Sequence, residues 1–263
     1  FGSAAKYIAT STMEASLDVQ SMSETSTKVF ILEVMGRHAG WMAASSALAR
    51  TSIEDAPHII LLPEITFNQK DFLTLVKQVV AKHGYCVVVV SEGVKNSKGK
   101  FLAESNRTDA FGHSQLGGIA PFISELINNK LKMKNHWAVA DYLQRSARHI
   151  ASKVDLEQAQ AVGSFAIKYA MAGMNGVMPI IVRHKGSKYK WSIEAAPLSK
   201  IANLEKKLPK NFISKNGMNI TQKAIDYLMP LIQGESHPPY KNGIPLTREF
   251  KLIKAVKKLP KWK

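Results

Sequence analysis

Residues 28–41 read KVFILEVMGRHAGW. Lys28–Val34 holds the apolar run Val29-Phe30-Ile31-Leu32, and its length suits a buried β-strand. Gly36 and Arg37 follow at once, and the alanine-rich stretch His38–Arg50 reads as a helix. A strand that stops at a glycine and reopens as a helix is a common anion-binding junction. Backbone N–H groups at a helix start lack intrahelical partners and carry partial positive charge. Glycine admits a ligand close to the backbone, and arginine adds a two-pronged donor for phosphate. A tight turn with a solvated arginine stands beside this reading as the local alternative.

Outward from this stretch, short apolar segments recur: His58–Pro63 (HIILLP), Tyr85–Gly93 (YCVVVVSEG) and Val177–His184 (VMPIIVRH). Helical patterns separate them at Lys70–Lys82, Gly118–Leu131 and Asp155–Ala172, with a further one at Thr221–Ile232. Strand alternating with helix predicts an α/β chain whose parallel sheets are covered on both faces. Lys188–Pro197 alternates more and reads as an edge or antiparallel strand, and Gly234–Pro245 (GESHPPYKNGIP) reads as an ordered loop.

Ligands of parallel sheets gather beyond the C-terminal strand ends. That rule puts Met35-Gly36-Arg37 and Ser91-Glu92-Gly93 on the same side of one sheet. One offers a grip on phosphate or sugar. The other offers a carboxylate that accepts hydrogen bonds from sugar hydroxyls. Together they suit a phosphorylated polyol better than nucleic acid.

The bulk numbers agree with a globular chain. Its 263 residues are 45% hydrophobic, enough for one large domain or two small ones. The longest apolar run, Cys86–Val90, is far too short for a membrane-spanning helix, and no secretory signal opens the chain. The single cysteine, Cys86, reads as a buried thiol and fits a reducing cytoplasm. A net charge of +16 favours anionic partners, but the lysines at 130–134, 185–190, 206–210 and 251–263 accompany no nucleic-acid motif. The opening FGSAAKYIATSTMEASLDV has no initiator Met, and Ala5, Ile8, Ala9 and Met13 have helical spacing. No strand precedes that helix, so the chain is expected to be the tail of something longer.

Other stretches say less. GHSQLGG (112–118) is more often a turn than a phosphate cradle, and His113 is a lone histidine. Asp141–Arg148 (DYLQRSAR) puts Tyr142, Arg145 and Arg148 within two turns, as a second anion grip or a solvated helix start. Neither a cysteine–histidine cluster with metal spacing nor a Ser/His/Asp arrangement is readable from the sequence.

EVMGRHAGW closely resembles the fructose 6-phosphate motif of the phosphofructokinase family, and VVVSEG is similar to its sugar-binding strand end. The opening helix resembles the family helix that follows the catalytic loop. HWAVADYLQRSARHIASKVDLEQAQAVG, DAFGHSQLGG and PPYKNGIP resemble the pyrophosphate-dependent branch. The resemblance runs over nearly the whole chain.

It implies two Rossmann-like three-layer domains, the donor domain incomplete here. Residues 1–143 would bind fructose 6-phosphate, 144–198 would be what remains of the phosphoryl-donor domain, and 199–263 would pack back on the first. It implies that Met35, Gly36 and Arg37 contact the sugar phosphate, with Arg37 also near the transferring phosphoryl group as the catalytic charge. Glu92 would accept from sugar hydroxyls. Tyr142 and Arg145 would hold the 6-phosphate, tyrosine replacing the family's histidine. Lys28 stands where relatives have an arginine reaching a neighbouring subunit's site, and a second cross-subunit cation is implied within Lys134–His136. The implied reaction is reversible phosphoryl transfer from pyrophosphate to the sugar 1-hydroxyl, with Mg²⁺, in a cytoplasmic homo-oligomer whose subunits share sites, without nucleic acid or membrane. The same reaction with ATP, and a non-catalytic sugar-phosphate-binding remnant, are the alternatives. The glycine-rich donor loop, the catalytic aspartate and the residues that position Mg²⁺ would lie before Phe1.

Overall fold

A computed structural model of the chain describes residues 1–102, 104–108, 114–116 and 118–247, with positions 251, 253 and 256. His113 and most of the lysine-rich segment 251–263 lie outside them. The elements run α1 (Gly2–Met22), β1 (Val29–Val34), α2 (Trp41–Ser45), β2 (Ile59–Leu61), α3 (Gln69–His83), β3 (Cys86–Ser91), β4 (Glu104–Thr108) and β5 (Ser114–Leu116). They continue with α4 (Ile119–Leu131), β6 (Asn135–Val139), α5 (Leu143–Ser146), α6 (Lys153–Met171), β7 (Val177–Arg183), β8 (Trp191–Pro197), α7 (Gln222–Leu228), β9 (Tyr240–Lys241) and β10 (Ile244–Pro245).

Four strands form a parallel sheet in the order β2-β3-β1-β6, with Val29 beside both Cys86 and Asn135. Alternation along β1 divides its side chains between two cores. Leu32 and Val34 pack with α1, α2, α7 and the 208–220 segment. Val29 and Ile31 pack with Phe72 and Val76 of α3 and with Ile119, Ile123 and Ile127 of α4. All six residues of β3 are buried, which explains its unbroken valine run: both faces are covered. Cys86 is a buried free thiol.

Small residues line the inner face of α1: Gly2, Ala5, Ala9, Thr12 and Ser16, with Ile8 and Val19. They let the helix lie close to Ala43, Ala44 and Ala47. The hydroxyls of Thr12 and Ser16 donate to Ile8 O and Met13 O, both at 2.7 Å, so their burial leaves no donor unpaired. Met13, which its spacing puts inside, is 40% exposed.

Several expectations are corrected. The helix at His38–Arg50 is only α2 followed by a 3₁₀ turn at Ser46–Ala49. The helix at Thr221–Ile232 is α7 followed by a 3₁₀ turn at Met229–Ile232, because Pro230 lacks the N–H that would continue the α-helix. β7 is half-exposed and pairs antiparallel with β8, from Val177 opposite Pro197 to Arg183 opposite Trp191. It is not a buried strand of the parallel series. The stretch read as an ordered loop contains a hairpin, β9 with β10, whose turn is Asn242 (φ 51) and Gly243 (φ 79). Asn-Gly is the strongest short signal for such a turn. No described helix is long and apolar enough to cross a membrane.

His58 sits just before β2, where its Nδ1 accepts from Val87 N at 3.0 Å and its ring meets those of His83 and Tyr85. Burial first, then the neighbouring His83 and Arg50 cations, lower its pKa to about 4. The unfolded chain takes up this proton near pH 6.5, whereas the native chain does not. The contribution to stability is therefore complete above about pH 6.5 and is lost as pH falls toward 4, by up to about 3 kcal/mol. Urea midpoints measured from pH 7 to 4.5 should fall, and the fall should be visibly smaller in His58→Asn.

Candidate active site

The sheet's C-terminal edge is organised by two loops locked backbone to backbone. Gly36 has φ +146°, in a region closed to other residues. Its N–H donates to Glu92 Oε1 at 3.1 Å, and its carbonyl accepts from Ser91 Oγ at 2.6 Å. A Cβ at Gly36 would lie 2.6 Å from Ser91 Oγ, and one at Gly93 would lie 1.8 Å from Arg37 O. The loop after β1 thus rests directly on the loop after β3, and Met35, Gly36, Arg37 and Glu92 stand together.

The helix start is not the free anion cradle that the sequence suggested. α2 begins four residues after Arg37, and its cap, Gly40, donates its N–H to both oxygens of Glu64 at 2.9 and 3.2 Å. Glu64 also accepts from Leu208 N at 2.8 Å, tying this loop to the C-terminal segment. Trp41 Nε1 adds a donation to Lys206 O at 2.6 Å. Carboxylates already occupy the N–H groups of Gly36 and Gly40, so neither backbone donor is left for an anion.

A cavity of about 280 Å³ opens beside these loops, lined by Glu33, Met35, Glu92, Gly118, Val139 and Asp141 among others. It is acidic. Glu33 is buried, and its Oε2 accepts from Ala120 N at 2.8 Å in the first turn of α4. Burial raises its pKa, against the lowering effect of the Ala120 and Ile119 N–H groups and with help from Glu92 and Asp141. Asp141 closes β6 at φ 34, a left-handed backbone that aspartate tolerates better than most residues. Sequence reasoning overlooked Glu33 and Asp141 as site residues. The available signal was a carboxylate inside an otherwise apolar strand.

A second cavity, about 320 Å³, lies on the other side of Gln144, where Ser3, Arg145, Arg148 and Asp155 line it. Tyr142 is 63% exposed, and the Arg145 guanidinium stacks on its ring at 4.5 Å. Arg148 donates to the carbonyl and hydroxyl of Ser236. Asp155 is occupied with the start of α1, accepting from Gly2 N at 3.1 Å, Ser3 N at 3.0 Å and Ser3 Oγ at 2.7 Å. Arg145 therefore belongs to this second cavity rather than to the carboxylate-lined one, while Tyr142 lines neither and is placed only by its stack on Arg145.

Lys28 is brought to neither. It stands at the opposite end of β1, roughly 20 Å from Met35 by strand rise, and its ammonium donates to Ser23 O. Lys134 lies at that same end and donates to Ser26 Oγ at 2.8 Å. His136 lines a shallow hollow beside Trp137 on the β6 edge. Among the described residues, no group of three or more His, Cys, Asp or Glu side chains is placed to hold a metal.

A family profile described as Phosphofructokinase matches residues 1–170. Over the full 263 residues the chain is 54% identical to the pyrophosphate–fructose 6-phosphate 1-phosphotransferase of Halomonas elongata, and it covers 63% of that protein. It is 53% identical to the enzyme of the same name from Xanthomonas campestris, again covering 63% of it. The crystal structure of a pyrophosphate-dependent phosphofructokinase from Marinobacter aquaeolei superposes with a TM-score of 0.88 at 53% identity, over 99% of this chain and 62% of that one. The chain thus spans a little over three-fifths of the length of these relatives. With the profile matched over most of its length and relatives this similar from end to end, the chain belongs to the phosphofructokinase family.

Proposed function

We propose that this chain carries the sugar-phosphate half of an enzyme that moves a phosphoryl group reversibly from pyrophosphate to the 1-hydroxyl of fructose 6-phosphate, giving the 1,6-bisphosphate in glycolysis. The observation that carries this reading is the pairing of the Gly36–Arg37 loop with Glu92 at the sheet's C-terminal edge, next to a cavity holding Arg145. The names of the relatives supply the donor and acceptor.

In this reading Met35, Gly36 and Glu92 hold the sugar, while Tyr142 and Arg145 hold the 6-phosphate. Arg37 offsets charge that builds on the transferring group. Such transfers depend mainly on positioning and charge neutralisation, so fixed donors of this kind are the protein's main contribution. Residues 1–143 form the sugar-phosphate domain, 144–198 the remaining part of the donor domain, and 199–263 a segment packed back on the first. The burial of Leu208, Phe212, Ala224 and Leu228 against the β1 core supports the last assignment. Mg²⁺ accompanies pyrophosphate, and no described group of this chain is assigned to it. The proton of the 1-hydroxyl is assigned to a base outside this chain. Lys28 and one cation within Lys134–His136 serve a neighbouring copy in a homo-oligomer, which fits their distance from both cavities.

Four substitutions test these roles in the complete enzyme. Arg37→Ala should lower turnover at least tenfold and weaken fructose 6-phosphate binding, because a charge-assisted contact is lost. Steady-state kinetics that left both unchanged would remove Arg37 from the site. Glu92→Gln and Arg145→Met should raise KM for the sugar phosphate with little effect on KM for pyrophosphate. A rise confined to pyrophosphate would reverse the assignment of sides. Gly93→Ala should lower both turnover and thermal stability, because its methyl group meets Arg37 O and forces the two loops apart.

The chain of 263 residues on its own should show no measurable transfer from pyrophosphate or ATP. A coupled assay for fructose 1,6-bisphosphate checks this. Mg²⁺-dependent turnover there would mean that the base and donor site lie within these residues.

A further inference from the structure

We infer that Gln144 is a positioning residue that sets the spacing between the carboxylate-lined and arginine-lined cavities, and so selects a ligand carrying its phosphate at a fixed distance from its hydroxyls. The inference rests on the sugar-phosphate reading of these two cavities.

Gln144 is 2% exposed although it sits between the exposed Tyr142 and the Arg145 that stacks on it. Its carboxamide uses both ends. Oε1 accepts from Met35 N at 3.3 Å, and Nε2 donates to Asp141 O at 2.8 Å. Met35 and Asp141 line the first cavity, while Gln144 itself lines the second with Arg145. One buried side chain therefore ties together the loop after β1, the strained turn at Asp141 and the short helix α5.

The chemistry needs an amide. The glutamine carboxamide carries an acceptor oxygen and a donor nitrogen on one carbon, so it accepts from the Met35 N–H and donates to the Asp141 carbonyl at once. Glutamate keeps the first bond but turns a second oxygen toward Asp141 O. It also adds a negative charge to the lining of the arginine cavity. Leucine roughly keeps the volume and loses both bonds, leaving the Met35 N–H and the Asp141 carbonyl without these partners. α5 has only four residues and little rigidity of its own, so its placement depends on such tethers.

A ligand that reaches both cavities feels this spacing, whereas one confined to a single cavity does not. Misplacing binding groups by an ångström can cost up to about a hundredfold. The test uses the 263-residue chain with fructose 6-phosphate and inorganic phosphate as separate probes, by titration calorimetry, for the unsubstituted chain, Gln144→Leu, Gln144→Glu and Arg145→Met. Both Gln144 variants should lose about tenfold or more on fructose 6-phosphate. Gln144→Leu should lose less than about twofold on inorganic phosphate, whereas Gln144→Glu, which adds a negative charge to the lining of the arginine cavity, should lose on both, as should Arg145→Met. In Gln144→Leu, equal losses on the two probes, or none on fructose 6-phosphate, would overturn the inference.

Hydrogen exchange supplies a readout that needs no ligand. The Met35 amide should exchange faster in Gln144→Leu and stay protected in Gln144→Glu. Unchanged Met35 exchange in Gln144→Leu would overturn the tether itself. If the unsubstituted chain bound neither probe, the sugar-phosphate reading would fall, while exchange would still decide whether Gln144 joins the two loops.

Discussion

The contact between the backbone of Gly93 and that of Arg37 governs the rest of the site. Two loops that leave neighbouring parallel strands at the same edge would ordinarily diverge. Here the absence of a side chain at 93 lets one rest on the carbonyl of the other, and the Glu92–Gly36 bond fixes their relative rotation. Everything that a ligand meets at this edge is referred to that contact. It sets the height of Met35 and Glu92 in the acidic cavity. Through Met35 it sets where Gln144, and with it α5, can dock.

The C-terminal segment reinforces the same region from outside. Glu64 bridges Gly40 to Leu208, and Trp41 stands among Phe212 and Tyr227. Arg183 of β7 stacks over Tyr189 and Tyr227 and donates to Tyr227 O at 2.6 Å. The antiparallel hairpin is thereby connected, through one aromatic cluster, to the residue that follows the Gly36–Gly40 loop. The hairpin is held there by aromatic and cation–π packing and by a side-chain hydrogen bond to a backbone carbonyl, which together are more directional than apolar contact alone.

Much of this was legible in the sequence, and the limits have physical causes. The valine run of β3 and the apolar run of β1 announced buried strands, and the strand-end rule located Gly36 and Glu92 without any coordinates of distance. The length of α2 was not legible, because Gly40 N–H is held by a carboxylate from another strand end. Gln144 stands within DYLQRSAR, yet its partner Met35 lies 109 residues away and no local pattern links them. Lys28 shows the reverse: its motif position is plain, but a single chain places it at the far end of its strand. The half-exposure of β7 was not legible, because VMPIIVRH is apolar from Val177 to Val182 and reads as a strand covered on both faces.

The small residues along the inner face of α1 have a consequence for how this layer can vary. Where two elements are separated mainly by backbone, little side-chain volume remains to be exchanged. Removing a methyl from Ala5 or Ala9 opens almost no space, whereas adding one must push the helix away from the 43–47 stretch. Tolerance here is one-sided: the layer resists growth far more than it resists trimming. A lineage exploring new core sequences would find its freedom on the opposite face of the sheet, among Phe72, Val76, Ile123 and Ile127, where volume can be traded between neighbours.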